Sequence, residues 1–346
     1  MKHQTTRYGE IPFYKIGTFG NTADAFISKK LFLEYKTKYS FPKKGDVLIS
    51  ASGTIGRAVI YDGKPAYFQD SNIVWIDNDE TLVKNDFLFY AYSNVKWNTE
   101  HTTILRLYNN NFRNTLIPLP PLNEQSAIAN ILSTLDRYLC ALDALILKKE
   151  SVKKALSFEL LNQKKRLKDF NQAWQRVRLG DIANYLTSNL SAEQITQQGK
   201  IKVYDVNNFI GYTDTTFISD KPYISIVKDG SVGRVRILPP KTNILSTMGA
   251  LIANHRTTTE FLFYLLSNFD FKNFTSGSII PHIYFKDYKE KTIFLPPLNE
   301  QSAIANILSD LDNEITSLKN KKRQFENIKK ALNHDLMSAK IRVLEK

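Results

Sequence analysis

The sequence predicts an α+β fold: two strand-rich domains joined by two long helices that pair as an antiparallel coiled coil about a pseudo-twofold axis. Three observations carry this expectation. The peptide Leu119–Ser133 (LPPLNEQSAIANILS) returns without a mismatch as Leu295–Ser309, 176 residues later in a chain of 346. Each copy is preceded by short β-branched and aromatic runs broken by Gly, Pro and Asp, and followed by apolar residues at helical spacing. A repeat this long argues against a solenoid, whose units run to a few tens of residues, and leaves room for a domain plus a connector in each half. Two copies suggest a partner or substrate with two related halves.

The elements follow in order. Residues 1–118 form the first domain, 119–170 a first helical region, 171–294 the second domain and 295–346 a second helical region. In the first domain Asp46–Ser50, Ala58–Asp62 and Ile73–Ile76 read as strands, and Phe87–Asn94 as an amphipathic helix. Tyr223–Val227, Val235–Leu238 and Phe261–Asn268 are their counterparts. Gly53–Arg57 and Gly230–Arg234 keep the same Gly-x-x-Gly-Arg pattern, and Lys153–Leu156 matches Lys329–Leu332.

After Pro120-Pro121 the pattern turns helical, with Asn123 and Asn299 placed to cap the first turn. A short helix carries Ile128, Ile131 and Leu132. A longer one follows, with Leu135, Leu139, Leu142, Ile146, Val152, Leu156 and Leu160 along one face. Leu311, Ile315, Leu318, Phe325, Ile328, Leu332 and Leu336 repeat the seam, which is interrupted at Lys149 and Lys322. Each helix could instead pack on its own domain; the matching lengths favour mutual pairing. About 27 residues of helix span roughly 40 Å. Antiparallel pairing would then hold the domains about one turn of B-DNA apart, roughly 34–36 Å, which is the spacing of half-sites.

Composition narrows the function. Hydrophobic residues make up 42% and aromatic residues 12%, enough for ordinary cores. Forty-seven Lys and Arg face 34 Asp and Glu, a net charge of +13, which favours nucleic acid and, second, an acidic membrane surface. No apolar run is long enough to span a bilayer, and the polar start is no signal peptide; the chain reads as soluble and cytoplasmic. The single Cys140 excludes an internal disulfide and a cysteine-based zinc site, and five scattered histidines show no metal spacing. Gly17–Gly20 lacks the strand–loop–helix context of a cofactor loop. Neither an adenine-methylation motif nor a nuclease motif is present. Glu124 and Glu300, at helix starts, fit capping or subunit contact better than catalysis.

Two variable domains alternating with two near-identical helical regions, each opened by Pro-Leu-Asn-Glu-Gln, resemble the specificity (S) subunit of type I restriction-modification systems. Trp174-Gln-Arg-Val-Arg-Leu-Gly-Asp-Ile182 resembles the usual opening of that family's target-recognition domains. The resemblance spans essentially the whole chain. It implies a non-catalytic protein without a cofactor, in which two target-recognition domains read a bipartite asymmetric site in double-stranded DNA. It further implies docking of two adenine methyltransferase (M) subunits, and motor-nuclease (R) subunits joining through the complex. Two rivals stay open: a subunit serving a fused methyltransferase-nuclease of another restriction class, and a coiled-coil protein scaffold. One departure stands out. The first half starts to align at Tyr8–Tyr14, opposite Gln198–Tyr204, and nothing before it matches Trp174–Ile182. The first domain is therefore expected to be N-terminally shortened and the less stable of the two, with the C-terminal tail as its possible completion.

DNA readout needs donors and acceptors on loops held by a rigid scaffold. Ser52 and Arg57, with Lys228 and Arg234, lie on the paired glycine loops. Because both loops keep the same pattern, a shared structural or phosphate role is favoured over base reading. Reading is expected where the halves differ: Arg106, Tyr108, Asn109, Asn110 and Arg113 align with His282, Tyr284, Lys286 and Lys289. Asn suits adenine, Arg suits guanine, and the tyrosines can stack or touch sugar. Lys15, Asn207 and Asn208 complete the candidates. Lys148–Lys168 and Lys319–Arg342 each hold eight basic and two acidic residues. A solvated helix face is the default for such runs, with phosphate clamping over an unread spacer as the alternative.

Overall fold

A computed structural model describes residues 4–68, 72–97, 100–101 and 105–343, the last-named ranges giving backbone alone at residues 100, 101 and 105. The chain forms two compact units, Met1–Asp143 with Asn320–Lys346 (unit 1) and Ala144–Lys319 (unit 2).

Unit 1 begins with β1 (Ile11–Tyr14), β2 (Ala25–Ile27) and α1 (Lys29–Lys38), whose cap Ser28 accepts from the Leu31 amide at 3.2 Å. Then come β3 (Val47–Ser50), β4 (Ala58–Ile60), β5 (Tyr67–Phe68), β6 (Ile73–Trp75) and α2 (Asn85–Tyr92). β7 (Glu100–His101), β8 (Leu105–Arg106) and α3 (Asn109–Arg113) lead into α4 (Leu122–Leu161). β1 pairs antiparallel with β2 and parallel with β5, and β3 lies between β4 and β6. Val47 and Ile49 of β3 pack on Leu88 and Tyr92 of α2, so the alternating β-branched run and the helix face form one core.

Unit 2 repeats this plan with additions. β9 (Gln175–Arg178) and β10 (Ala183–Thr187) come first, then β11 (Ile201–Tyr204), β12 (Phe209–Thr213), β13 (Tyr223–Val227), β14 (Val235–Leu238), β15 (Asn243–Ile244) and β16 (Met248–Ala253). They are followed by α5 (Thr259–Ser267), α6 (Phe285–Tyr288), β17 (Thr292–Leu295) and α7 (Leu298–Met337). The order β12-β11-β15 mirrors β2-β1-β5, and β16-β13-β14 mirrors β6-β3-β4. The strands expected from sequence stand within a residue or two of their places.

The antiparallel pairing of α4 and α7 is visible inside each unit, because partners on one helix rise in number as those on the other fall. In unit 1 Asp136 pairs with Lys329 and Asp143 with Lys322 (2.6 Å), and the rings of Tyr138 and Phe325 lie 4.7 Å apart. In unit 2 Lys149 meets Glu314 at 2.8 Å and Lys153 meets Asp312 at 2.5 Å. The lysines that interrupt the apolar pattern are thus ion-paired within the seam rather than defects in it.

Two expectations need correction. α4 is one helix of 40 residues, not a short helix followed by a longer one. Between the two stretches Ser133 and Thr134 turn their hydroxyls onto the Asn130 carbonyl (3.2 and 2.7 Å) and stay inside the helix. Val152 and Ile328 are exposed and lie off the seam; the neighbouring Lys153 and Lys329 take part in it through their carboxylate partners.

The repeated peptide explains itself structurally. Gln125 accepts from the Lys84 amide (2.7 Å) and donates to the Leu82 and Pro120 carbonyls (3.0 and 2.8 Å). Gln301 accepts from the Thr258 amide (2.9 Å) and donates to the Arg256 and Pro296 carbonyls (2.9 and 2.8 Å). Each glutamine therefore ties a long helix to the loop that starts the domain's helix. Tyr90 with Asp136, and Tyr264 with Asp312, add a second tie at 2.8 and 3.0 Å. Burial and the facing carboxylate raise both phenol pKa values, so both tyrosines remain proton donors.

Candidate nucleic-acid interface

In each unit the glycine loop lies beside the segment that precedes the short helix. In unit 1 Ser52 forms a β-bridge with Arg106, and the Leu107 amide donates to the Ala51 carbonyl at 2.8 Å. In unit 2 Asp229 forms the equivalent bridge with His282, and the Ile283 amide donates to the Lys228 carbonyl at 2.9 Å. The same backbone frame thus carries different side chains in the two units.

The glycines are structural. Gly56 and Gly233 sit at φ +85° and +80°, in the left-handed region. A β-carbon at Gly56 would approach Trp97 Nε1 to 2.3 Å, and one at Gly233 would approach Phe271 to 2.6 Å. The loop is pressed onto an aromatic ring in both units. That geometry favours the structural reading of the shared pattern.

The arginines of the two loops differ in their engagements. Arg57 donates to the Phe19 carbonyl at 3.0 Å, anchoring the Gly17–Gly20 turn against the loop. A β-carbon at Gly53 would meet Ile16 at 3.4 Å, which places Ile16, the residue after Lys15, beside the same loop. Lys15 itself pairs with Asp24 at 2.9 Å, an exposed contact of little energetic weight. Arg234 donates to the Asn207 side chain (2.9 Å), and Arg236 donates to the Asn207 carbonyl (2.9 Å) while its guanidinium covers Tyr204 at 5.3 Å. The Asn207 and Asn208 amides both bond Asp205 Oδ1 at 2.7 Å, which fixes that turn. Sequence reasoning missed Arg236. Its signal was the spacing of Arg234, just before β14, and Arg236 within it, two positions apart as residues on one face of an extended run are.

The variable stretches place their side chains as follows. Arg106 lies 5.9 Å from the Tyr108 ring, and Tyr108 precedes α3, which carries Asn109, Asn110 and Arg113. The His282 ring is 5.1 Å from Tyr284, and Lys286 lies 5.4 Å above the Tyr284 ring. These are aromatic and cationic groups interleaved on exposed loops. Two candidates have further contacts. Lys289 packs its stem on Gly180 and its carbonyl accepts from the Gly180 amide at 2.8 Å, because the turn between β9 and β10 lies against the end of α6. Arg113, its counterpart, lines a cavity of about 540 Å³ together with Asn109.

The helical charge runs are less available than composition suggests. Eight of their basic residues pair with carboxylates: Lys149, Lys153, Arg166, Lys319, Lys322, Lys329, Lys340 and Arg342. Glu300, 0% exposed, takes Arg166 at 2.7 Å and the Trp174 indole at 2.9 Å. Glu124 takes Arg342 at 2.6 and 2.7 Å, and that guanidinium holds its carboxyl below the usual range. The two glutamates are thus intramolecular anchors, beyond the capping expected of them. Arg166 and Arg342 are one repeat apart, a signal that was present in the sequence. Among the described residues no cluster of His, Cys, Asp or Glu could hold a metal ion, and no helix is long and apolar enough to cross a membrane.

Comparison with known proteins agrees with this arrangement. The model of the Type I restriction modification DNA specificity domain matches twice, over residues 1–154 and 171–327. A type I restriction enzyme specificity subunit of Haemophilus influenzae is 63% identical over 133 residues, 38% of this chain and 34% of that relative; the match spans about a third of its length. The type I restriction enzyme MjaVIII specificity subunit of Methanocaldococcus jannaschii is 24% identical over 362 residues, 92% of this chain and 84% of the relative. The S subunit of a type I restriction-modification system from M. genitalium has the same fold, with a TM-score of 0.64 at 20% identity over 97% of this chain and 91% of that one. With two matches that together cover most of its length, the chain belongs to the family of type I restriction-modification specificity subunits.

Proposed function

We propose that the protein is the non-catalytic, cofactor-free subunit that selects a bipartite, asymmetric site in double-stranded DNA, each unit reading one part. Support comes from the paired loops: Ser52 with Arg106 and Asp229 with His282 occupy one backbone frame, yet the side chains around them differ. A shared frame presents the reader, and divergent side chains set what is read. Arg57 and Arg234 meet phosphates, while Arg106, Tyr108, Asn109, Asn110, Asn207, Asn208, His282, Tyr284 and Lys286 face base edges or sugar; Lys15, Ser52 and Lys228 flank them. The paired helices set the length of the unread spacer and dock two adenine methyltransferase subunits. Motor-nuclease subunits join through that complex, and the assembly works in the cytoplasm.

The test is the methylation pattern of genomic DNA from cells that express this chain with its methyltransferase, read by long-read sequencing. A split motif with two unlike halves and a fixed gap is expected. A single undivided motif, or no dependence on this chain, would refute the reading.

A further inference from the structure

The loop that leads into the variable stretch of unit 2 is fixed at several points. Ser276 and His282 face each other across a β-bridge, exchanging amide-to-carbonyl bonds of 2.9 and 2.8 Å. Gly277 turns the chain at φ +90°, where a β-carbon would run into the Ile280 carbonyl. The Gly230 amide donates to the Pro281 carbonyl at 2.8 Å, which ties this loop to the glycine loop. Pro281 restricts its own φ and keeps Ile280 extended, and His282 Nδ1 lies 3.2 Å from the Ile280 carbonyl.

At the tip of this closed loop stand Ile279 and Ile280, 92% and 62% exposed. A lone exposed aliphatic residue asks for no explanation. Two in succession, on a backbone with little freedom left, are a presented apolar tip. Its surroundings are polar and cationic: the His282 and Tyr284 rings lie 5.1 Å apart, and Lys286 stands 5.4 Å above Tyr284. A protein partner would call for a broader apolar patch. Base edges present donors and acceptors with a single apolar group, the thymine 5-methyl, which matches a small apolar tip among polar neighbours. The tip also diverges between the halves. One repeat earlier the sequence has Thr103 for Ile279 and Ile104 for Ile280, both outside the described residues.

We propose that unit 2 uses Ile279, with Ile280 beside it, to read the 5-methyl group of a thymine. This deepens the DNA-reading role given above and rests on it. Contact between the methyl and the isoleucine removes apolar surface on both sides from water. Cytosine at the same place offers an amino donor to a side chain that has no acceptor, and so loses its hydration without return. Because the loop is already held by its own bonds, the contact costs little further ordering.

The test uses the chain in complex with its methyltransferase and duplexes carrying the split motif that the complex writes. Each thymine of the motif is replaced in turn by uracil, which keeps the pairing and lacks only the methyl. At one thymine the unaltered complex should lose affinity about three- to tenfold. Ile279→Ala should lose a similar factor on the thymine duplex and show no further loss with uracil at that place. The slope of log affinity against log salt should stay unchanged, since no phosphate contact is removed. Three results would each overturn the proposal. They are indifference to every uracil, a uracil loss that persists when Ile279→Ala and Ile280→Ala are combined, or weakened methyltransferase binding in that double variant with the thymine preference intact. The last would make the tip a protein contact. A complex that writes no split motif would refute the DNA-reading role itself, whereas a split motif with indifferent thymines refutes this assignment alone.

Discussion

Unit 2 surrounds Glu300 with Arg166 and the Trp174 indole, while unit 1 surrounds Glu124 with Arg342 and the Val343 amide. Both carboxylates sit at the same repeat position, on helices of the same length. The carboxylates are buried almost alike, at 0% and 2% exposed; the difference lies in the cover over their partners, since the Arg166 side chain is 27% exposed and that of Arg342 50%. A duplicated sequence therefore does not guarantee duplicated burial. The comparison teaches that the helix-to-domain tie is local, whereas core closure depends on a segment that is remote in sequence.

The largest effect that would test this contrast is at Glu300. Glu300→Ala leaves Arg166 and the Trp174 indole facing an empty site, at a cost of about 3–5 kcal/mol. Calorimetry should show the unit 2 transition falling markedly, with Glu124→Ala producing the smaller loss, since Arg342 is half exposed. A larger loss at Glu124 would reverse the asymmetry. Next come the loop glycines. Gly56→Val and Gly233→Val combine a left-handed backbone with a ring contact, and each should cost roughly 1–3 kcal/mol. Equal destabilisation, read by denaturant melts, would confirm that the loop-on-ring contact is common to both units.

A smaller effect is expected with acid. The Arg342 guanidinium depresses the Glu124 carboxyl below its ordinary value of 4.5, so its contribution is fully present above that value. It is lost as pH falls through the lower folded value. Melting of unit 1 should therefore steepen its decline below the ordinary carboxylate range, and Glu124→Gln should remove that part of the profile. The smallest effect concerns DNA. Arg57→Ala and Arg234→Ala should weaken binding across sequences and reduce the slope of log affinity against log salt by about one. A changed base preference with an unchanged slope would show that these arginines read bases.

Much of this architecture was legible beforehand. The exact repeat, the Pro-Pro hinge and the alternating runs at Val47–Ser50 and Tyr223–Val227 announced two strand-rich units with long helices. The pairing of Lys149 and Lys322 was not legible, because an isolated lysine on an apolar face gives no sign of a carboxylate on a helix more than a hundred residues away. The continuity of α4 was not legible either; Ser133 and Thr134, between the two stretches, turn their hydroxyls onto the Asn130 carbonyl and stay inside the helix. In the candidate interface the loop pairing followed from the aligned Gly-x-x-Gly-Arg motifs. The diversion of Lys289 toward Gly180 did not, since it depends on where Trp174–Ile182 packs.

Gln125 and Gln301 hold their domains through main-chain atoms at Lys84, Leu82 and Pro120 and at Thr258, Arg256 and Pro296. Apart from the Thr257 hydroxyl, which donates to Gln301 at 2.9 Å, such a socket is blind to the identity of the residues it grips. Any domain that brings a loop of the same shape to the glutamine can be plugged in without redesigning the helix. Natural variants could thus exchange whole heads between lineages, acquiring new specificities in a single recombination event while the stem stays unaltered.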